Sequence, residues 1–183
     1  MNLNRAVFLD RDGTLIEERD YLSRAADVAL FSGAGDALRS LQIGGFKLFI
    51  VSNQSGVGRG YFTLEDVACV NERMIGLFAV CGVRFEKIYI APEAPGQPSR
   101  GRKPSPQFLL DARDEFGLDL SASYMIGDKW IDLECGWNAG VKKSILVRTG
   151  YGKKAAAEYA GRLEKALVVD DLGAAARWIL ETK

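Results

Sequence analysis

Residues 6–14 read AVFLDRDGT, a short apolar run that ends in a turn with two carboxylates. The run Ala6–Leu9 is typical of a strand that is buried on both faces of a sheet. Similar apolar runs recur along the chain at Lys47–Val51, Lys87–Ala91, Tyr124–Ile126, Ser144–Val147 and Ala166–Val169. The sequence therefore predicts six buried strands.

Helical patterns separate these runs, with apolar residues three and four positions apart. They lie at about Ala34–Ile43, Leu64–Val80, Pro106–Phe116, Ile131–Ala139, Ala155–Leu163 and Leu172–Leu180. Thr63 precedes Glu65 and Asp66, which is typical of a helix start, because the hydroxyl can accept a backbone hydrogen bond and the acids face the positive helix end. Asp170 and Asp171 are expected to cap the last helix.

The alternation of strands and helices predicts an α/β fold, a doubly wound, Rossmann-like parallel sheet with helices on both faces. We expect a single domain over residues 1–183, since a chain of this length usually shares one core. Neither residues 15–33 nor residues 62–98 leave room for a separate domain, so no large cap is expected.

The composition narrows the classes of function. The chain has 24 basic and 24 acidic residues, so no net field attracts it to nucleic acid or to an anionic membrane. Its 3 cysteines have no CxxC spacing, which fits a reducing cytoplasm, and the stretch Met1–Arg5 lacks the pattern of a signal peptide. We expect a cytoplasmic monomer without nucleic-acid or membrane partners.

The chain contains 0 histidines, which excludes Ser-His-Asp triads, Cys-His dyads, phosphohistidine intermediates and histidine-ligated metals. Carboxylates, hydroxyls and lysines must carry any chemistry.

Polar residues follow three of the predicted strands. The first strand is followed by residues 10–14, the second by residues 52–55, and the fourth ends at residues 127–132, which contain two aspartates. Lys103 lies near the end of an irregular, proline-rich loop over residues 92–105, which we interpret as a rim of the site. Because ligands bind at the carboxyl ends of parallel strands, these groups are expected to meet.

The turn at residues 10–14 has two simpler interpretations. Asp and Gly are common in tight turns, so the pattern alone is compatible with a turn of no further function. A calcium-binding EF-hand loop is excluded, because that loop follows a helix and needs a further acid or amide side chain where Thr14 stands. The second carboxylate cluster, the hydroxyl turn and the lysine favour a catalytic site.

These groups fit phosphoryl transfer, which depends on positioning and on neutralising charge. Asp10 can attack the phosphate, while Asp12 can protonate the leaving group and then activate water. Ser52 and Lys103 can bind phosphoryl oxygens, and Asp10 and Asp128 can hold Mg²⁺.

The sequence resembles the haloacid dehalogenase (HAD) superfamily of phosphatases. The resemblance lies in four motifs in order: residues 10–14, Ser52, Lys103, and Asp128 with Asp132. It implies Asp10 as nucleophile of an aspartyl-phosphate mechanism and Asp12 as general acid/base. It also implies that Mg²⁺ is bound by Asp10, Asp128 and the backbone carbonyl of Asp12.

Within this superfamily the chain is similar to heptose 1,7-bisphosphate phosphatases, through residues 52–60 (SNQSGVGRG), 102–104 (RKP), 123–129 (SYMIGDK) and 146–150 (LVRTG). The resemblance implies hydrolysis of the C7 phosphate. The implied substrate contacts are Glu18, Arg19, Asp20, Tyr21, Ser52, Asn53, Gln54, Ser55, Arg102, Lys103 and Lys129.

Two alternatives stay open. Histidinol-phosphate phosphatases, or phosphatases of other small phosphomonoesters, share the catalytic motifs. A phosphate-binding or scaffolding module without turnover would also keep the phosphate-binding groups, but binding alone does not need Asp12 beside Asp10.

The proline-rich loop departs from the subfamily pattern. Family members carry a Cys-x-His and Cys-x-Cys zinc site there, and the matching positions are Ala91, Glu93, Ser99 and Gly101. These residues cannot form a tight zinc site, so we expect no zinc.

Overall fold

A computed structural model describes residues 4–182 of the chain. Residues 1–3 and 183 lie outside the described residues, and with them most of the N-terminal stretch that was inspected for a signal peptide.

The described residues form one open sheet of six parallel strands in the order β3-β2-β1-β4-β5-β6. The strands are β1 (Arg5–Leu9), β2 (Phe46–Asn53), β3 (Lys87–Ala91), β4 (Tyr124–Gly127), β5 (Lys143–Val147) and β6 (Ala166–Val169). All six predicted strands are confirmed, with ends that differ by two residues or fewer. The strand order reverses direction between β1 and β4, where the first and the fourth strands pair.

Helices cover both faces of the sheet, as predicted. They are α1 (Ala34–Ile43), α2 (Ser55–Gly58), α3 (Leu64–Val80), α4 (Gln107–Phe116), α5 (Trp130–Ala139), α6 (Gly152–Glu158) and α7 (Leu172–Glu181). Short 3-10 turns lie at Ala25–Asp27, Leu120–Ala122 and Ala160–Arg162.

Side chains of β1 alternate between two cores, which is why this strand is apolar throughout. Val7 and Leu9 face a core shared with α1, α3 and α7, whereas Ala6 and Phe8 face a core shared with α4 and α5. The strand at the centre of the sheet is therefore packed on both sides and holds the turn that follows it in place.

Two predicted helix caps are present. The Thr63 hydroxyl accepts a hydrogen bond from the Asp66 backbone amide, and the Asp66 carboxylate accepts one from the Thr63 amide. Asp171 likewise accepts a hydrogen bond from the Ala174 amide at the start of α7.

The prediction of a helix at Ala155–Leu163 was wrong at both ends, because α6 begins at Gly152 and ends at Glu158. Tyr159 leaves the helix and stacks on Trp130, with 4.5 Å between ring centroids, and the chain then makes a 3-10 turn. The ring contact therefore lies just beyond the end of the helix and holds the chain against α5.

Between β1 and α1 the described chain contains one 3-10 turn and an isolated bridge from Ile16 to Leu30, and no large cap is inserted there. None of the helices in residues 4–182 combines the length and apolar character needed to cross a bilayer.

Candidate active site

Three aspartates meet at the carboxyl edge of the sheet, where the strand order reverses. Asp10 follows β1, Asp128 follows β4, and Asp132 lies in the first turn of α5. Their ligand oxygens all lie within 4.8 Å of one another, and all three residues are buried. The Asp10 amide donates to the Ile126 carbonyl at 2.9 Å, which ties the end of β1 to β4. We refer to these aspartates and Lys103 as the floor of the site.

Lys103 joins two of the carboxylates. Its Nζ lies 2.6 Å from Asp10 Oδ1 and 2.6 Å from Asp132 Oδ1, and its side chain is 2% exposed. Asn53, at the end of β2, fixes the lysine backbone, because its amide group donates to the Lys103 carbonyl at 3.1 Å and accepts from the Lys103 amide at 3.0 Å. The lysine is thus held from two strand ends.

Burial and charge set the ionisation of the floor. Burial alone would raise the pKa of Asp10, but the ammonium groups of Lys103 and Lys129, together with hydrogen bonds, outweigh it and lower the pKa. Burial and the nearby Asp10 carboxylate raise the pKa of Asp128 to about 8. The pKa of Lys103 is raised because its two carboxylate partners outweigh its desolvation. The floor thus holds an anionic Asp10, whereas Asp128 holds its proton more tightly than an ordinary aspartate does.

The donor set at the floor fits a hard divalent cation. Asp128 Oδ2 accepts a hydrogen bond from the Tyr151 amide at 2.8 Å. Within residues 4–182, no hydrogen-bond donor reaches its other oxygen, Oδ1, which is buried. A buried carboxylate oxygen without a partner is costly, and Mg²⁺ prefers oxygen ligands of this kind. Gly13, with a φ of 86°, packs against the Asp128 carboxylate where a Cβ would collide with it.

Asp12 is held in a separate hydrogen-bond network beside the floor. Arg11 Nε lies 2.9 Å from Asp12 Oδ2, and Arg11 Nη2 lies 3.0 Å from Oδ1, so the guanidinium grips both oxygens. Gln54 Nε2 donates to Asp12 Oδ2 at 2.9 Å and to Ser52 Oγ at 2.7 Å. The network therefore connects Asp12 to the Ser52 hydroxyl.

A cavity of about 330 Å³ opens above Asp12. Its lining residues come from the segments that follow β1, β2, β4 and β5: Asp12, Glu18, Asp20, Tyr21, Leu22, Asn53, Gln54, Ser55, Gly56, Phe62, Lys129 and Tyr151. Lys129 Nζ lies 3.0 Å from Glu18 Oε2, and the Tyr151 hydroxyl donates to Asp20 Oδ1 at 2.7 Å. These contacts fix the segment over residues 18–21 against the opposite wall.

Four of the predicted substrate contacts do not line this cavity. Two of them are Lys103, which belongs to the floor, and Ser52, which Gln54 connects to Asp12. Among the described residues, the cavity lining does not include Arg19 or Arg102. Arg19 pairs with Glu17 at 3.1 Å on the surface, and Arg102 Nη1 donates to the Glu93 carbonyl at 2.9 Å. Burial lowers the pKa of Arg102; the Glu93 carboxylate opposes this effect, and the charge of Arg59 adds to it.

The loop over residues 92–105 is fastened by hydrogen bonds between its own residues. The Ser99 hydroxyl donates to Glu93 Oε2 at 2.6 Å and accepts from the Arg102 amide at 3.2 Å. Gly101 packs against the Phe108 ring, which leaves no room for a side chain. We call residues 92–102 the rim loop; Lys103, which follows them, belongs to the floor.

Sequence reasoning gave no role to Arg11, Asp132, Tyr151 or Arg59. Asp132 was visible as an acid four residues after Asp128, and Arg11 lies within the DRDGT turn, but nothing in the sequence indicated their partners. The remaining roles assigned to site residues stay predictions.

Comparisons with known proteins agree with this geometry. A family model described as HAD-hydrolase-like matches residues 101–175. The chain is 38% identical to the D-glycero-beta-D-manno-heptose-1,7-bisphosphate 7-phosphatase of Helicobacter pylori over 148 residues, which cover 80% of this chain and 86% of that protein. It is 40% identical to the Escherichia coli K12 enzyme of the same name over 152 residues, covering 79% and 80% of the two chains.

A solved structure gives the same result for the whole fold. The crystal structure of D,D-heptose 1,7-bisphosphate phosphatase from B. bronchiseptica, complexed with magnesium and phosphate, superposes with a TM-score of 0.90 at 28% identity and covers 98% of this chain and 99% of that one.

The chain belongs to the HAD superfamily of phosphatases and is a phosphoric monoester hydrolase. Within that superfamily, its similarity is to the heptose 1,7-bisphosphate 7-phosphatases.

Proposed function

We propose that the chain is a magnesium-dependent phosphatase that removes the C7 phosphate of D-glycero-D-manno-heptose 1,7-bisphosphate through an aspartyl-phosphate intermediate. The observation that carries the proposal is the floor, where Lys103 joins Asp10 to Asp132 and Asp128 keeps a buried oxygen without a partner. The names of the relatives supply the substrate.

Asp10 is the nucleophile in this proposal. One of its carboxylate oxygens attacks phosphorus, and the bond from phosphorus to the sugar oxygen breaks. The lowered pKa of Asp10 keeps the carboxylate anionic, as attack requires. Lys103 and the Ser52 hydroxyl bind the phosphoryl oxygens, and Asp10, Asp128 and the Asp12 carbonyl would hold Mg²⁺, which neutralises phosphoryl charge.

Asp12 moves the protons. It donates a proton to the leaving sugar oxygen and then takes one from the water that attacks the aspartyl phosphate, which releases phosphate and restores Asp10. Its position in the cavity lining, beside the floor, supports this role.

The remote phosphate of a bisphosphate needs its own cations. Arg102 on the rim loop is our candidate, since a guanidinium can bind phosphate through two hydrogen bonds. The positive charge of Arg59, which acts on Arg102, supports an anion-binding role for this part of the rim. Substrate contacts from Glu18, Arg19, Asp20, Tyr21, Ser52, Asn53, Gln54, Ser55 and Lys129 complete the proposed set.

We also propose a single domain over residues 1–183 that acts as a cytoplasmic monomer on a small sugar phosphate, without nucleic-acid or membrane partners. The net charge of +0 supports the absence of polyanionic partners.

Phosphate release with and without Mg²⁺ tests the function. Heptose 1,7-bisphosphate, a heptose monophosphate and histidinol phosphate are offered at equal concentration, and phosphorus NMR identifies the phosphate that is lost. We expect preferential loss of the C7 phosphate of the bisphosphate, only with Mg²⁺. A higher specificity constant for histidinol phosphate would overturn the heptose assignment, and turnover without divalent metal would overturn the magnesium assignment.

A further inference from the structure

We propose that Asn71 is a positioning residue for the reaction: it fixes the Arg11 guanidinium, which in turn fixes the carboxylate of Asp12. This inference rests on the proposed role of Asp12 as general acid/base.

Asn71 is a polar residue on the apolar face of a helix. In α3 the buried residues are Val67, Val70, Asn71, Met74 and Phe78, spaced three and four apart. Asn71 is 6% exposed, and its side-chain oxygen accepts a hydrogen bond from Arg11 Nη1 at 2.9 Å. A buried amide on an apolar helix face is costly unless it is hydrogen-bonded, and the contact with the guanidinium supplies that bond. The same contact gives the buried Arg11 Nη1 its acceptor.

Arg11 is more deeply buried, with 1% of its side chain exposed. Its three guanidinium nitrogens are divided between two partners: Nε and Nη2 bind the two Asp12 oxygens, and Nη1 binds Asn71. The fork sets the plane of the Asp12 carboxylate, since both oxygens are held by one rigid group. Asn71 supplies the third contact, which prevents rotation of the guanidinium within its own plane.

This arrangement acts on proton transfer and not on the floor. The residues that bind phosphate and carry out the attack, Asp10 and Lys103, are joined to each other, and Lys103 is joined to Asp132. Among the described residues, their side chains make no hydrogen bond to the Arg11 guanidinium or to Asn71. Loss of the Asn71 contact should therefore misplace Asp12 and leave phosphate binding and nucleophilic attack intact. Misplacement of a reacting group by a fraction of an ångström is enough to slow a reaction.

The test compares leaving groups that do and do not need a proton. Asn71→Leu removes the acceptor and keeps the approximate volume. The quantity compared is kcat/KM, because it reports the steps up to formation of the aspartyl phosphate and excludes the later hydrolysis of that intermediate, in which Asp12 acts on both substrates alike. We expect kcat/KM for an alkyl phosphate such as glycerol phosphate to fall about tenfold, and kcat/KM for p-nitrophenyl phosphate to change less than about twofold, because the aryl leaving group departs without protonation. The KM for the alkyl phosphate should stay close to wild type.

Three further variants serve as controls. Val70→Ala makes a cavity on the same buried face of α3, so it reports the effect of destabilisation alone. It should lower kcat/KM for both substrates equally or for neither. Asn71→Asp keeps an acceptor oxygen for Arg11 and should restore most of the alkyl turnover that Asn71→Leu loses. Asn71→Ala removes the acceptor at smaller volume and takes the place of Asn71→Leu if the latter does not fold.

Asp12→Asn, measured in the same series, separates the outcomes. Suppose that Asp12→Asn lowers kcat/KM more for the alkyl than for the aryl substrate, while the Asn71 variants lower it equally for both or not at all. The positioning role of Asn71 is then overturned and the proposed function is untouched. If Asp12→Asn also fails to discriminate, Asp12 is not the general acid and both its role and that of Asn71 are refuted. Neither result depends on the heptose substrate.

Discussion

The floor and the rim loop are held together by different forces. In the floor, an ammonium group that is 2% exposed bridges two buried carboxylates, and its backbone is fixed by Asn53 at a strand end. In the rim loop, half-buried Glu93 and Ser99 make one hydrogen bond, and Arg102 adds two more. Removal of one partner from a buried ion pair costs about 3–5 kcal/mol, whereas a partly exposed hydrogen bond contributes about 1 kcal/mol.

The difference assigns separate tasks to the two regions. The floor is rigid and is suited to chemistry that needs fixed positions, and the rim loop can change in sequence at small cost. Mutations in the floor should therefore affect every phosphoester, and mutations in the rim should affect some substrates only.

The largest effect is expected for Asp10→Asn. The amide cannot form an acyl phosphate, so turnover of all phosphoesters should fall by roughly 10³-fold or more. Circular dichroism and thermal melting should show a folded protein, with steady-state assays on alkyl and aryl phosphates as the kinetic measurement. Activity near wild type on any substrate would remove Asp10 from the chemical step.

Asp12→Asn should have a smaller effect that depends on the leaving group. We expect kcat/KM to fall about 10²-fold for alkyl phosphates and distinctly less for aryl phosphates, whose leaving groups are weaker bases. A plot of log kcat/KM against leaving-group pKa for a series of phosphoesters measures this dependence. Equal slopes for variant and wild type would contradict it.

Arg102→Ala tests whether the rim loop selects the substrate. Loss of a charge-assisted contact to the remote phosphate should lower kcat/KM for the bisphosphate about tenfold and leave the monophosphate within about twofold. Arg100→Ala is a matched control, since Arg100 lies on the same loop and pairs with Asp111 on α4. Equal losses on both sugars would show that Arg102 stabilises the loop and does not read the second phosphate.

The smallest effect is expected from zinc removal. Because Glu93 and Ser99 bind each other and Gly101 has no side chain, the rim loop offers no tight zinc site. A zinc-selective chelator should leave the melting temperature unchanged, and elemental analysis should find far less than one zinc per chain. About one tightly held zinc per chain would contradict this interpretation.

The sequence was sufficient for the sheet and for the position of the site. Short apolar runs predicted every strand, and the polar residues after them predicted that Asp10, Ser52 and Asp128 lie at one edge, because parallel strands bring their carboxyl ends together. The short helix α2 was not predicted, since its four residues SGVG contain two glycines and no helical pattern.

Contacts between distant parts of the chain could not be predicted. Arg11 and Asn71 are 60 residues apart, and Asn71 differs from its neighbours on α3 only in being polar. Likewise, the pairing of Lys103 with Asp132 depends on how the rim loop returns to the sheet, which no local pattern encodes. Tertiary packing decides such pairs, and periodicity reports only the face on which a residue lies.

The Glu93–Ser99 hydrogen bond also bears on how this protein would respond to oxidants. A loop fastened by zinc thiolates loses its metal when peroxide oxidises the sulfurs, and it cannot close in a zinc-starved cell. Carboxylate and hydroxyl oxygens are not oxidised under those conditions. Of the three cysteines, Cys135 is buried with a pKa raised to about 12 by burial, which keeps it a poorly reactive thiol. The rim loop should therefore keep its shape under peroxide stress.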